Sequence, residues 1–266
     1  MFSQYWKLVV SLCELFGIIG NKKTLLNENL KQFYSHGSKH PHGWGLAYLE
    51  NDGSQTIYKE PVCASDSNLL KKILKSKIES RFAIGHIRFA TIGNISQINC
   101  HPFSINDITG RQWTLAHNGN IYAGLKLLEY TKTQIGQTDS ERVLLRIIDK
   151  INIKTKEKGT ELTAIERCEV VDKTVSSLSF RNKLNLLIYD SELFYVHTNI
   201  KDTLYGSFNK DFNCFATVPI NDKYKWEPIP LNSLLAFSGT KKIYHGKNHG
   251  NEFIKGTPSS FDNFSI

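Results

Sequence analysis

Strand-like segments fall into two groups with helical sequence between them, and this pattern limits the fold more than any other feature of the chain. The first group comprises 14–19, 44–49, 56–59, 82–90, 113–116 and an edge strand at 102–105. The second, in the last third, comprises 184–189, 193–197, 212–218, 234–237 and 242–244. Helical spacing of apolar residues marks 67–78 and also 24–33, where Leu25, Leu26, Leu30 and Phe33 share a side and Thr24 is placed to cap. Two further helices are expected at 138–151 and 160–179. Asn51-Asp52-Gly53 reads as a hairpin turn. A sheet with one apolar face must bury it against another layer, so this arrangement implies stacked sheets flanked by helices, an α+β fold.

The 266 residues include 15 Phe, 11 Tyr and 4 Trp, which supply a core and exclude a disordered chain. Length admits one or two domains; with no repeat, low-complexity run or Pro/Ser/Gly-rich linker, one is expected. No apolar run approaches the ~18 residues of a membrane helix. Leu8 to Leu12 lies between Lys7 and Cys13 as in a lipoprotein signal, but it is short, and Leu12 is bulky where a small residue belongs. A cytoplasmic protein is therefore expected, with no membrane partner. The five cysteines are odd in number and form no CxxC pair, which argues for reduced thiols over a disulfide scaffold or zinc site. The formal charge is +8. Its densest group, Lys71, Lys72, Lys75, Lys77 and Arg81, interleaves with Leu70, Ile73, Leu74 and Ile78 as on a solvated helix face, so no nucleic-acid partner is expected.

Four places have side chains suited to chemistry. Asn118-Gly119 follows a buried-looking strand and is either a hairpin turn or an oxyanion hole, since an Asn amide and a Gly N–H can point at one developing charge. Arg88 sits within the apolar run 82–90, where burial requires a carboxylate partner from the protein or from a ligand such as an amino acid; the alternative is an exposed strand face. Thr138 and Glu141 have capping-box spacing, and Asp139 between them could bind an α-ammonium group. His40 and His42, in a Gly-rich turn, are either a base or structural. No phosphate loop or dinucleotide fingerprint is present.

In order, Cys13-Glu14-Leu15-Phe16-Gly17, His42-Gly43-Trp44-Gly45, Gly85-His86-Ile87-Arg88-Phe89-Ala90-Thr91, His101-Pro102-Phe103, Ala116-His117-Asn118-Gly119 and Thr138-Asp139-Ser140-Glu141 resemble the class II glutamine amidotransferases. The chain is most similar to the stand-alone YafJ-like group, which includes γ-glutamyl hydrolases. Phe215-Ala216-Thr217-Val218-Pro219 and Trp226-Glu227-Pro228 extend the similarity, which covers Cys13 to Phe237.

This resemblance implies a four-layer αββα N-terminal-nucleophile hydrolase sandwich of two antiparallel sheets. Cys13 would be the nucleophile, Asn118 and the Gly119 N–H the oxyanion hole, Arg88 the α-carboxylate holder and Asp139 the α-ammonium holder. Phe89 and Thr91 would line the pocket; Phe89 and Ile92 stand where other branches carry Trp and His. The implied reaction cleaves the γ-amide of glutamine or a γ-glutamyl compound through a thioester, without metal or organic cofactor. Water would be the final acceptor, or a separate subunit would receive ammonia; a non-catalytic γ-glutamyl sensor is the alternative.

The family's base is the nucleophile's own α-amino group, with an ordinary pKa of about 8. Cys13 has twelve residues ahead of it, so its nitrogen is an amide. A start assigned upstream of the true one, a cleaved propeptide or lost activity would each account for this. Residues 1–12 are thus expected to be a non-native or cleaved leader, and 13–266 a single glutaminase-type domain.

Overall fold

The computed structural model describes residues 13–254; the expected leader lies outside them. β1 (Glu14–Leu25) leads into α1 (Asn27–Ser35), a 3-10 turn (His36–Lys39) and the hairpin of β2 (Trp44–Leu49) and β3 (Gln55–Glu60). Next come α2 (Asn68–Lys75), β4 (Glu79–Ile87), β5 (Phe103–Asn106) and β6 (Gln112–Asn120). Two long helices follow, α3 (Asp139–Lys158) and α4 (Ala164–Ser179). The remainder is β7 (Lys183–Tyr189), β8 (Phe194–Thr198), β9 (Tyr205–Phe208), β10 (Phe212–Ala216), β11 (Glu227–Pro228), β12 (Ser233–Ser238) and β13 (Lys241–His245).

The strands pair antiparallel into two sheets, ordered β11-β9-β10-β1-β4-β2-β3 and β13-β12-β8-β7-β6-β5. Because side chains alternate along a strand, each sheet has two faces to cover. Leu15, Ile19, Phe82 and Ile84 meet Ala116, Leu187, Phe194 and Val196 between the sheets. On the outer side of the first sheet, Phe16 and Ile18 pack under Leu30, Phe33 and Leu70 of α1 and α2. Trp113, Leu115 and Leu186 do the same under Val143, Ile147 and Val171 of α3 and α4. The result is the α+β sandwich, helices outside and sheets inside. Each large side chain fully buried in it contributes about 1.5–3 kcal/mol. Gly17 lies in the inner row, and a Cβ there would come within 2.6 Å of the Phe194 ring, so its lack of a side chain lets the sheets close.

Several boundaries differ from the sequence reading. β1 continues past Gly20 to Leu25, through a register shift between Ile19 and Thr24 against β4. Thr24 is therefore a strand residue and α1 starts after Leu26. β4 ends at Ile87, leaving Arg88 just beyond the strand rather than inside it. α4 starts at Ala164, where Thr163 and Glu166 form a full capping box. β9 and β11, unforeseen, are short and lie at one side of the first sheet. Among the described residues, no helix is long and apolar enough to cross a membrane.

Candidate active site

Cys13 stands immediately before β1, a central strand of the first sheet, and Asn118 and Gly119 lie near the end of β6 in the second. The two sheets bring these ends together: the Asn118 side-chain N–H donates to the Cys13 carbonyl. The start of β1 is fastened from its other neighbour, where the Leu15 N–H donates to Thr217 Oγ1 at 3.0 Å and the Thr217 N–H to the Leu15 carbonyl at 3.1 Å. This gives the 215–219 motif a structural role beside the thiol.

Asn118-Gly119 is not a hairpin turn. Both residues are inside the β6–β7 ladder, paired with Asn185 and Leu184. A Cβ on Gly119 would sit 1.8 Å from the Lys183 carbonyl oxygen and 2.4 Å from His117 Nε2, so only glycine fits. Asn118 Oδ1 is buried without a hydrogen-bond partner.

The Cys13 thiol lies against the Phe89 peptide: Sγ accepts from the Phe89 N–H at 3.2 Å and is 3.3 Å from the Phe89 carbonyl. Burial pushes the thiol above its ordinary pKa, outweighing the opposite pull of the Phe89 peptide and the Arg88 charge. In this state the thiol keeps its proton, and attack requires a base.

Arg88 is 3% exposed, so its cation needs partners. They are not carboxylates. Its guanidinium donates to the carbonyls of Asn94 (3.2 Å), Ile92 (3.0 Å) and Gly93 (3.2 Å), the loop that follows it. Nη1 makes one of these bonds and Nη2 two, so three of the five N–H donors face the loop. The same loop is pinned to the approach of α3: the Asn94 N–H donates to Gln137 Oε1 at 3.0 Å, and the Gln137 N–H to Asn99 Oδ1 at 2.8 Å.

Thr138 caps α3 by accepting from the Glu141 N–H. Glu141 does not complete the capping box; its carboxylate accepts from the N–H groups of Ile135 and Gly136 at 2.7 and 2.8 Å. Asp139, buried in the first turn, accepts from the Ile121 N–H at 3.0 Å, which ties the residue after β6 to the helix. Thr91, at the rim, accepts from Asn120 Nδ2 at 3.3 Å.

The histidines take structural positions. His40 Nε2 is 3.1 Å from Glu14 Oε1, and His42 Nδ1 accepts from the Ala90 N–H at 2.9 Å. His117 donates from Nε2 to the Lys183 carbonyl at 3.0 Å and meets Ser140 Oγ at 2.9 Å, joining β6, β7 and α3. Burial holds it below the ordinary imidazole value, against the pull of Asp139.

A family model described as "Glutamine amidotransferases class-II" matches residues 12–211. Among curated proteins, the uncharacterized MJ1515 of Methanocaldococcus jannaschii is 32% identical over 71% of this chain and 52% of its own length. YafJ of Escherichia coli K12, a candidate glutamine amidotransferase by name, is 28% identical over 71% of this chain and 74% of its own. Among solved structures, the glutamine PRPP amidotransferase of B. subtilis superposes with a TM-score of 0.63 at 19% identity, over 86% of this chain and 48% of that one. The crystal structure of a protein from Pseudomonas aeruginosa PA01, by name a predicted glutamine amidotransferase, gives 0.58 at 18%, over 87% of this chain and all of that one. At these identities the solved structures speak for the fold.

Proposed function

The chain belongs to the class II glutamine amidotransferases, in the YafJ-like group, and from that premise we propose that it cleaves the γ-amide of glutamine or a γ-glutamyl compound through a thioester on Cys13. The observation that carries this reading is the meeting of Cys13 with Asn118, across the two sheets, beside the Phe89 peptide.

The working enzyme begins at Cys13, and its free α-amino group takes the thiol proton that burial otherwise retains. The thiolate attacks the γ-carbonyl. Asn118 has two N–H donors, so one can serve the oxyanion while the other holds the Cys13 carbonyl; the Gly119 N–H is the second oxyanion donor. Arg88 holds the α-carboxylate through a guanidinium N–H that its loop does not engage, and Asp139 holds the α-ammonium group. Phe89 and Thr91 wall the pocket. The C–N bond breaks, ammonia or an amine leaves with the proton that the Cys13 α-amino group took from the thiol, and water resolves the thioester to glutamate.

A second arrangement, in which ammonia passes to a separate chain, draws support from exposed apolar residues on segments that follow β4 and β6: Ile95 at 57%, Leu125, which opens a 3-10 helix, at 84%, and Ile135 at 83%. Glutamate release from glutamine and from γ-glutamyl peptides, compared with Cys13→Ala, tests the proposal. Release above the variant's background is expected, and the better substrate identifies the leaving group. Equal background for both proteins refutes it.

A further inference from the structure

Glu14 follows the nucleophile, and strand alternation turns its side chain away from the site, toward the end of α1. Both carboxylate oxygens are taken there, Oε2 by His36 Nδ1 at 2.8 Å and Oε1 by His40 Nε2 at 3.1 Å. The Glu14 and His40 side chains are only 12% and 4% exposed, against 27% for His36, so the His40 contact above all is shielded from the screening that makes surface pairs weak. Burial disfavours the Glu14 carboxylate, yet the two imidazoles hold the carboxyl below its ordinary value.

The two histidines bracket the 3-10 turn that opens the loop returning to β2. That loop clasps the segment wrapped around the thiol. The His42 N–H donates to the Arg88 carbonyl at 3.2 Å, and the Arg88 N–H to the Gly43 carbonyl at 2.8 Å. The Ala90 N–H donates to His42 Nδ1 at 2.9 Å, and the His42 ring lies 5.0 Å from the Phe89 ring. Phe89, held on both sides, presents its peptide to Cys13 Sγ. Residues 13 and 14 are thus bound to one continuous support, Cys13 through its sulfur and Glu14 through two imidazoles.

We propose that Glu14 is a positioning residue, which fixes the loop of residues 36–43 through His36 and His40, and through that loop the Phe89 peptide that orients the nucleophilic thiol. The inference rests on the reading of Cys13 as nucleophile. The Arg88 backbone shares this support, but its guanidinium is fixed separately by the carbonyls of Ile92, Gly93 and Asn94, and Asp139 lies on α3, so loss of Glu14 falls on the chemical step more than on binding.

The test pairs Glu14→Ala with Glu14→Gln, whose amide still offers an acceptor and a donor to the two rings. In the chain beginning at Cys13, Glu14→Ala is expected to lower kcat about 100-fold, as a misplaced reacting group does, with KM nearly unchanged. The rate of Cys13 alkylation by iodoacetamide, read by peptide mass mapping, is expected to shift as well. Glu14→Gln is expected to restore both toward wild type. Unchanged Cys13 alkylation in a folded Glu14→Ala protein would overturn the positioning role, as would an equal defect in both variants. Absence of turnover in the wild type, with a shifted alkylation rate in Glu14→Ala that Gln restores, would sink the catalytic reading and leave the role of Glu14 standing.

Discussion

Acid is expected to unfold this protein through its buried histidines. His86 and His197 are fully buried, and burial pushes each imidazole down to about 3. In the unfolded chain a histidine takes up its proton near the ordinary value of about 6.5. Between those limits the unfolded state binds one proton per histidine that the native state refuses, so stability falls as pH falls, by about 1.4 kcal/mol per pH unit for each group. At pH 5 each loses about 2 kcal/mol, and the pair about 4 kcal/mol, relative to pH 7. That is a large share of the roughly 5–15 kcal/mol typical of a folded domain. His101 and His117 are lowered too and act with the same sign. Glu14, held below its ordinary carboxyl value, contributes stability that is lost only in a more acidic window. Urea unfolding at pH 7 and pH 5 measures the loss. Burial is the main cause of the His86 shift, so His86→Leu, which removes the titrating ring, is expected to recover about 2 kcal/mol of the loss between pH 7 and pH 5. Equal stability of the wild type at both pH values, or an unchanged acid loss in His86→Leu, refutes the reasoning.

Three further outcomes are expected. Asn118→Ala should lower kcat by about 10²- to 10³-fold through loss of an oxyanion donor, with KM nearly unchanged in steady-state assays. Arg88→Lys should raise KM for glutamine about 10- to 100-fold, since an ammonium cannot serve three loop carbonyls and a carboxylate at once; an unchanged KM would remove Arg88 from the binding site. Asp190→Ala should cost about 3–5 kcal/mol in urea unfolding, because the Asp190 carboxylate, itself fully buried, pairs with buried Arg167 at 2.7 Å and accepts from Tyr195 OH at 2.7 Å.

Elements whose pattern is purely local could be read from the residues. β2 was legible at both ends, because Trp44 to Leu49 is an uninterrupted apolar run opened by a Gly-rich turn and closed by a hairpin signal. The end of β1 was not, because its last residues follow a register shift against β4 that no local signal announces. At the site, Asn118-Gly119 carried the local signature of a turn, whereas its demand for glycine comes from the carbonyl of Lys183 on the neighbouring strand. The Cys13–Asn118 contact spans 105 positions, and only the resemblance of ordered motifs pointed to that pair. Arg88 was legible as a buried cation in need of partners, but its own loop supplies three carbonyls. Glu14 and its two histidines had no separate signal, since their bonds depend on where the turn after α1 comes to rest.

The most direct measurement is the intact mass of the chain beginning at Cys13, acid-quenched during turnover of glutamine. A single γ-glutamyl adduct on Cys13 is expected, absent from the chain that retains Met1. Turnover by the Met1 chain without removal of its leader, or glutamate release by Cys13→Ala, would contradict the account.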